Sequence, residues 1–189
     1  MKEKIVLASV SPRRRELLEM LGCRVEVRPT NAPEETGSLT DPKDIVAALA
    51  AQKARAVPKA RQELVLGADT VVAIDDAVLG KPEDREQAKK MLSLLSGREH
   101  SVYTGFCLIR GDREIIGTEE TRVLFRPLSQ QEIEAYLDTG EPFDKAGAYG
   151  IQGKGCLLVE KISGDFYNVV GLPVIRIFAE LKQWEMTVG

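Results

Sequence analysis

A run of four apolar residues, Ile5-Val6-Leu7-Ala8, passes directly into Ser9-Val10-Ser11-Pro12 and then into leucines at helical spacing, Leu17, Leu18 and Leu21. This opening limits the possible folds more than any other feature of the chain. A buried strand that leads within a few residues into an amphipathic helix is the unit from which α/β layers are built. Pro12 suits the first helical position, where its missing N–H would have no intrahelical partner anyway, and Ser11 is a good N-cap. Gly22 is a natural stop. Val25-Glu26-Val27 then alternates as a strand does, which completes the opening of an α/β protein.

The same grammar recurs downstream. Residues 29–41 are rich in turn formers and read as a loop. Asp41-Pro42 repeats the cap-plus-proline start of a helix, with Ile45, Val46 and Leu49 inward. Leu64-Val65-Leu66 reads as a strand reaching its end at Gly67-Ala68-Asp69, before a second apolar run over residues 70–74. Asp75-Asp76 predicts a turn to Val78-Leu79. Asp84 with Gln87 resembles a capping box, opening a helix with Ala88, Met91, Leu92 and Leu95 inward, and Gly97 ends it. Residues 102–109 and 115–125 predict an antiparallel pair around Gly111-Asp112. Ser129 with Glu132 is a full capping box, with Leu128 and Ile133 as its hydrophobic staple, and Gly140 closes that helix. Residues 141–155 form a loop dense in glycine and proline. A strand over 157–162 and a last helix from Pro173, with Ile177, Phe178 and Leu181 inward, follow. Without repeats, low-complexity tracts or linkers, residues 1–189 read as one domain.

Composition removes several function classes. With 26 basic and 29 acidic residues the formal net charge is −3, which does not suit general nucleic-acid binding. No apolar stretch approaches the ~20 residues of a membrane span or the ~7–15 of a signal peptide's core, so a cytoplasmic protein without membrane contact is expected. Cys23, Cys107 and Cys156 form no CxxC pair and His100 is the only histidine, so a Cys/His zinc site is not expected and the thiols read as reduced and structural.

Four clusters carry charge next to glycine or serine. In Ser9-x-Ser11-Pro12-Arg13-Arg14-Arg15, three arginines occupy the first turn of a helix and oppose its dipole. An anion at the helix N-terminus would reverse that cost, so the cluster reads as a polyphosphate cradle. In Gly67-Ala68-Asp69-Thr70, a carboxylate at a strand end can serve as a metal ligand or general base. Gly80-Lys81-Pro82, with Lys53 on the preceding helix, supplies cations for phosphate. The loop from Glu141 to Gly153 combines Asp144, Lys145, Tyr149 and Gln152 with glycines that allow close backbone approach, and reads as a binding loop. Neither a GxxxxGK[ST] phosphate loop nor a dinucleotide fingerprint is present.

Taken together, these strings resemble the Maf family of nucleoside triphosphate pyrophosphatases. The resemblance runs through Ser9-x-Ser11-Pro12-Arg13-Arg14, Lys53-Ala54, Gly67-Ala68-Asp69-Thr70, Leu79-Gly80-Lys81-Pro82 and Leu95-Ser96-Gly97-Arg98-x-His100. It continues in Glu141-Pro142-x-Asp144-Lys145-Ala146-Gly147-Ala148-Tyr149-Gly150-Ile151-Gln152-Gly153 and in Gly164-Asp165-Phe166-Tyr167-Asn168 through Pro173. It implies an α/β fold, a long mixed twisted β-sheet flanked by helices in two lobes with a central cleft, akin to the inosine triphosphatases. It implies hydrolysis of a nucleoside triphosphate to the monophosphate and pyrophosphate, aided by a divalent cation, Mg or Mn. By position Asp69 is the general base. Glu35 or its neighbour Glu34 joins Asp69 at the metal. Arg13, Arg14, Lys53 and Lys81 are the phosphate-binding set, and Ser9 and Lys145 join them as substrate-binding residues. Arg13, Thr70 and Gln152 occupy the positions that mark the subgroup acting on dTTP and UTP. A glutamine there can pair with a carbonyl and an N–H of uracil or thymine together, which a glutamate cannot.

The resemblance also implies a homodimer and leaves two other readings. One is a nucleotide-sensing regulator of septum formation that does not depend on catalysis. The other is a purine scavenger of the inosine triphosphatase kind.

Overall fold

A computed structural model describes residues 4–30 and 35–184 of the chain. The chain begins with β1 (Lys4–Leu7), α1 (Pro12–Met20), β2 (Arg24–Val27), α2 (Pro42–Ala56), β3 (Leu64–Ile74) and β4 (Ala77–Leu79). Next come α3 (Arg85–Leu95), β5 (Glu99–Arg110), β6 (Arg113–Phe125) and α4 (Gln130–Leu137). It ends with β7 (Val159–Ser163), α5 (Phe166–Val170) and α6 (Val174–Gln183). Three short 3₁₀ turns, Glu141–Asp144, Ala146–Ala148 and Gly153–Leu158, fill the glycine-rich stretch that the sequence presents as a loop.

The described strands form one mixed sheet in the order β2-β1-β3-β5-β6-β7, with β4 paired to β3. β1 runs parallel to β2 and to β3, in register Ile5 with Val25 and Ile5 with Leu64. β4 folds back antiparallel on β3, and β7 lies antiparallel to β6. β5 and β6 are joined by Gly111-Asp112, a turn too short for anything but an antiparallel pair. The α/β class and the mixed sheet expected from the sequence are what the chain forms.

The residues divide into two compact units. One comprises Met1–Asp69, Thr104–Glu119 and Gly171–Gly189, and the other Thr70–Tyr103 and Glu120–Val170. The first is built on small residues. Ala50, Ala51 and Ala54 of α2 pack with Val6, Val65 and Ile109 of the strands. The second has larger side chains, Leu92, Leu95, Phe125, Ile133 and Tyr149 among them. There His100 and Tyr149 share a hydrogen bond of 2.8 Å, and each meets Phe125 edge-on. Burial pushes the His100 imidazole down to about 4, so it is neutral at physiological pH.

Helix ends follow local chemistry. Asp41 accepts the N–H of Lys43, and Ser129 with Glu132 makes both bonds of its capping box. Other expectations are corrected. Ser11 occupies the N-cap of α1 but its side chain makes no capping bond; instead its N–H donates to Ser9 Oγ at 3.2 Å. Asp84 caps Gln87, but Gln87 returns its side chain to the N–H of Glu83 rather than of Asp84. β7 starts at Val159, because Leu157 and Leu158 belong to a 3₁₀ turn. The helix α5 was not visible in the sequence, since five residues are too few for a periodicity. Cys156 is exposed rather than a core thiol, whereas Cys23 and Cys107 are buried. Asp69 lies inside β3, not at a strand end, because residues 64–74 form one continuous strand.

Candidate active site

The central position of Asp69 has a direct consequence. Alternate side chains of a strand share a face, so Asp69 projects with Gly67. That face is covered by α2, and at Gly67 there is no room for a side chain: a Cβ there would lie 2.3 Å from the carbonyl oxygen of Ala50 and 2.7 Å from the nitrogen of Ala54. The helix therefore comes down onto the strand, and Lys53, between those two alanines in sequence, reaches Asp69. Lys53 Nζ donates to Asp69 Oδ1 at 2.5 Å, with both side chains largely buried. Asp69 Oδ2 has no hydrogen bond among the described residues.

Ser9 and Arg14 are gathered next to this pair. Arg14 is 9% exposed, and its Nη1 donates to the carbonyl of Ala68 at 2.7 Å and to Ser9 Oγ at 3.0 Å. Its Nε donates to the carbonyl of Gly171 at 2.8 Å. The guanidinium thus ties the strand residue before Asp69 to the segment before α6. The three arginines read as one cradle part company here. Arg14 turns inward, Arg15 pairs with Glu19 along the helix at 2.7 Å, and Arg13 stays half-buried. Glu35 is exposed, and its backbone is held by Gln52, which donates to the Glu35 carbonyl at 2.6 Å and accepts its N–H at 3.3 Å. Gln52 immediately precedes Lys53, so α2 carries both the partner of Asp69 and the anchor of Glu35. Glu34, the neighbour named with it, lies outside the described residues.

The other unit holds Thr70, Lys81, Lys145 and Gln152. Lys81 is exposed and has no ion pair or hydrogen bond among the described residues. The segment before it is fixed, because the N–H of Gly147 donates to the carbonyl of Gly80 at 3.0 Å. Lys145 is more enclosed: its ammonium donates to the Glu141 carbonyl at 2.5 Å and to Asp144 at 2.7 Å, and its stem crosses Gly150. Gln152 is exposed, and its side chain has no hydrogen bond among the described residues.

Two residues that sequence reasoning left without a role organise this loop. Tyr136 Oη accepts the N–H of Gly150 at 3.1 Å, and burial, aided by the nearby charge of Glu141, pushes the Tyr136 phenol up to about 12. The Glu141 carboxylate accepts the N–H groups of Lys154 and Gly155 at 3.1 and 3.3 Å. Glu141 was within a recognised string, but nothing in the string says what it holds.

The donor chemistry can be tested against a divalent cation. Among the described residues, no three His, Cys, Asp or Glu side chains gather into a protein-only cage. Lys53 holds the Asp69 carboxylate and the neighbouring Gln52 holds the backbone of Glu35, so α2 anchors both of these hard-oxygen residues. Mg²⁺ is commonly held by one or two carboxylates together with substrate phosphates, so the set fits such an ion when the substrate contributes. No described helix is long and apolar enough to cross a membrane.

Comparison with known proteins places the chain among relatives along nearly its whole length. The sequence profile of the family described as "Maf-like protein" matches residues 4–184. The chain is 50% identical over 184 residues to the dTTP/UTP pyrophosphatase of Bacillus cytotoxicus, covering 97% of this chain and 96% of that one. It is 50% identical over 186 residues to the dTTP/UTP pyrophosphatase of Bacillus anthracis, covering 98% and 97%. Among solved structures, the Ham1 protein of Staphylococcus aureus shares the fold, with a TM-score of 0.54 at 14% identity over 97% of this chain and all of that one.

Proposed function

Since the chain belongs to the family of Maf-like proteins, we propose that it hydrolyses the pyrimidine nucleoside triphosphates dTTP and UTP to the monophosphate and pyrophosphate. Relatives matched along nearly their whole length carry the name of that activity. The observation that carries the reading is the Lys53–Asp69 pair, set inside β3 by the contact of α2 with Gly67. The relatives are named for a reaction and for pyrimidine substrates, so neither the regulator nor the purine-scavenger reading gains support.

In this reading the Lys53 ammonium fixes the Asp69 carboxylate through Oδ1, and Oδ2 accepts the proton of the attacking water. An unassisted aspartate is a weak base at neutral pH, so orientation of the water matters as much as basicity. Asp69 and Glu35 would hold the divalent cation, Mg²⁺ or Mn²⁺, which when bound offsets the negative charge of the triphosphate. Arg13 and Lys81, with Lys53, neutralise phosphate charge that develops on the leaving pyrophosphate. Arg14 serves chiefly by positioning Ser9 and the Ala68 carbonyl. Lys145 holds its loop while adding positive charge. Thr70 and Gln152 select the base, the Gln152 amide pairing with a carbonyl and an N–H of uracil or thymine.

The test is a nucleotide panel in Mg²⁺ and in Mn²⁺, scored separately for pyrophosphate and orthophosphate. UTP and dTTP are expected to give monophosphate and pyrophosphate. Orthophosphate as the product would place attack at the terminal phosphorus and overturn the reading. Asp69→Asn is expected to lower kcat at least ~10³-fold, within the range general-base loss covers, with UTP affinity within about threefold of wild type.

A further inference from the structure

We propose that Glu141, with no role in the chemistry, sets the base preference by holding Gln152 in its reading position. This rests on the reading of Gln152 as the residue that pairs with the base. Gln152 sits at the turn of a short backbone loop whose two arms are each fastened to a side chain. On the leading arm, Tyr136 Oη takes the Gly150 N–H at 3.1 Å. On the returning arm, the two oxygens of Glu141 take the N–H groups of Lys154 and Gly155 at 3.1 and 3.3 Å. Glu141 is located in turn by its own backbone. Its N–H donates to Thr139 Oγ1 at 3.1 Å, and its carbonyl accepts from Lys145 Nζ at 2.5 Å.

The fit leaves no slack. Gly153 has a φ of +62°, and a Cβ on it would meet the Glu141 carboxylate at 2.8 and 3.0 Å. A Cβ at Gly155 would lie 2.1 Å from the Gly150 carbonyl oxygen. The backbone on both sides of Gln152 is therefore restrained, while its side chain has no hydrogen bond among the described residues. An amide that must meet a carbonyl and an N–H of one base needs that restraint, because both bonds fail together when the backbone that carries it shifts, and the advantage they give uracil over cytosine fails with them.

The variant Glu141→Gln keeps the size of the side chain but replaces one acceptor oxygen with an NH₂ group facing an N–H. Three measurements are made on the full chain. The first is amide hydrogen exchange over residues 150–155. The second is the ratio of kcat/KM for UTP over CTP. The third is the same ratio in Gln152→Leu and in the double variant. Glu141→Gln is expected to speed exchange of those amides about tenfold or more. It is expected to lower the UTP/CTP ratio about tenfold and to add nothing once Gln152 is gone. Gly153→Ala, which crowds the carboxylate from the other side, is expected to lower the ratio in the same direction.

If exchange stays at the wild-type rate, Glu141 does not hold the loop and the proposal fails. It also fails if exchange speeds up and Gln152→Leu lowers the ratio, while Glu141→Gln lowers activity on both nucleotides equally. An unchanged ratio in Gln152→Leu overturns the base-reading role itself, and with it the proposal.

Discussion

Gly67→Ala tests the link between the packing of α2 and the chemistry of Asp69. The new Cβ would stand 2.3 Å from the Ala50 carbonyl oxygen, 2.7 Å from the Ala54 nitrogen and 2.9 Å from the Ala54 Cβ. Two of these are backbone atoms, so no side chain can rotate away, and strand and helix must part by about 1 Å to restore ordinary contact. Overpacking of this kind costs about 1–3 kcal/mol. For a chain of this size that lowers Tm by about 2–12 °C. The more telling effect is on the site. The helix that must move carries Lys53, and the strand carries Asp69 two residues beyond the substitution, so the 2.5 Å ion pair is stretched. A misplacement of ~1 Å in a catalytic group can lower the rate ~10²-fold. The assays are a thermal melt and steady-state kinetics on UTP with pyrophosphate detection. The expected result is a modest fall in Tm with kcat down about 30–100-fold and KM little changed. A variant with wild-type Tm and kcat within twofold would show that α2 does not set the position of Asp69.

Two further predictions address residues that the structure reinterprets. Arg14→Lys keeps the charge but cannot span the Ala68 carbonyl, the Gly171 carbonyl and Ser9 Oγ. It is expected to cost about 1.5–3 kcal/mol of stability, read from the urea midpoint, while KM for UTP changes less than about threefold. Wild-type stability with a large rise in KM would return Arg14 to the phosphates. His100 bears on pH: its ordinary value of 6.5 falls to about 4 in the folded chain, so the unfolded state binds the proton more readily. Its stabilising share is complete above pH 6.5 and is lost as pH falls towards 4, a difference of about 3 kcal/mol. Glu63 and Glu132, held down to about 2 by hydrogen bonding, titrate in a lower window. In urea titrations between pH 6.5 and 4, His100→Gln is expected to flatten the dependence, and an unchanged slope would refute this account of His100.

How much of this protein could be read from its sequence follows the range of the forces involved. Asp41, Ser129 and Glu132 cap helices through bonds to residues two or three positions away, so their roles were legible in the string. The alternation of β1, α1 and β2 was equally plain, because apolar period and turn residues act over one element. The continuous β3 was less so. Gly67 resembled a strand end because glycine often marks one, whereas here it is the gap into which α2 fits.

The site divides in the same way. The types were legible: arginines after a helix start, a carboxylate beside glycine, an amide in a loop. Their partners were not. Arg14 joins the carbonyls of Ala68 and Gly171, 54 and 157 residues away, and a neighbouring Arg15 of the same type spends itself on Glu19. Glu141 holds amides 13 and 14 residues on. The sequence by itself determined most of the longer elements and which chemical groups the chain owns, since propensity, capping and charge are local properties. Only the tertiary structure decided which arginine turns inward, that Lys53 meets Asp69, and which carboxylate fastens the loop of Gln152. Those outcomes depend on close packing between segments far apart in the chain, where a single missing Cβ, as at Gly67, decides how near two backbones can come.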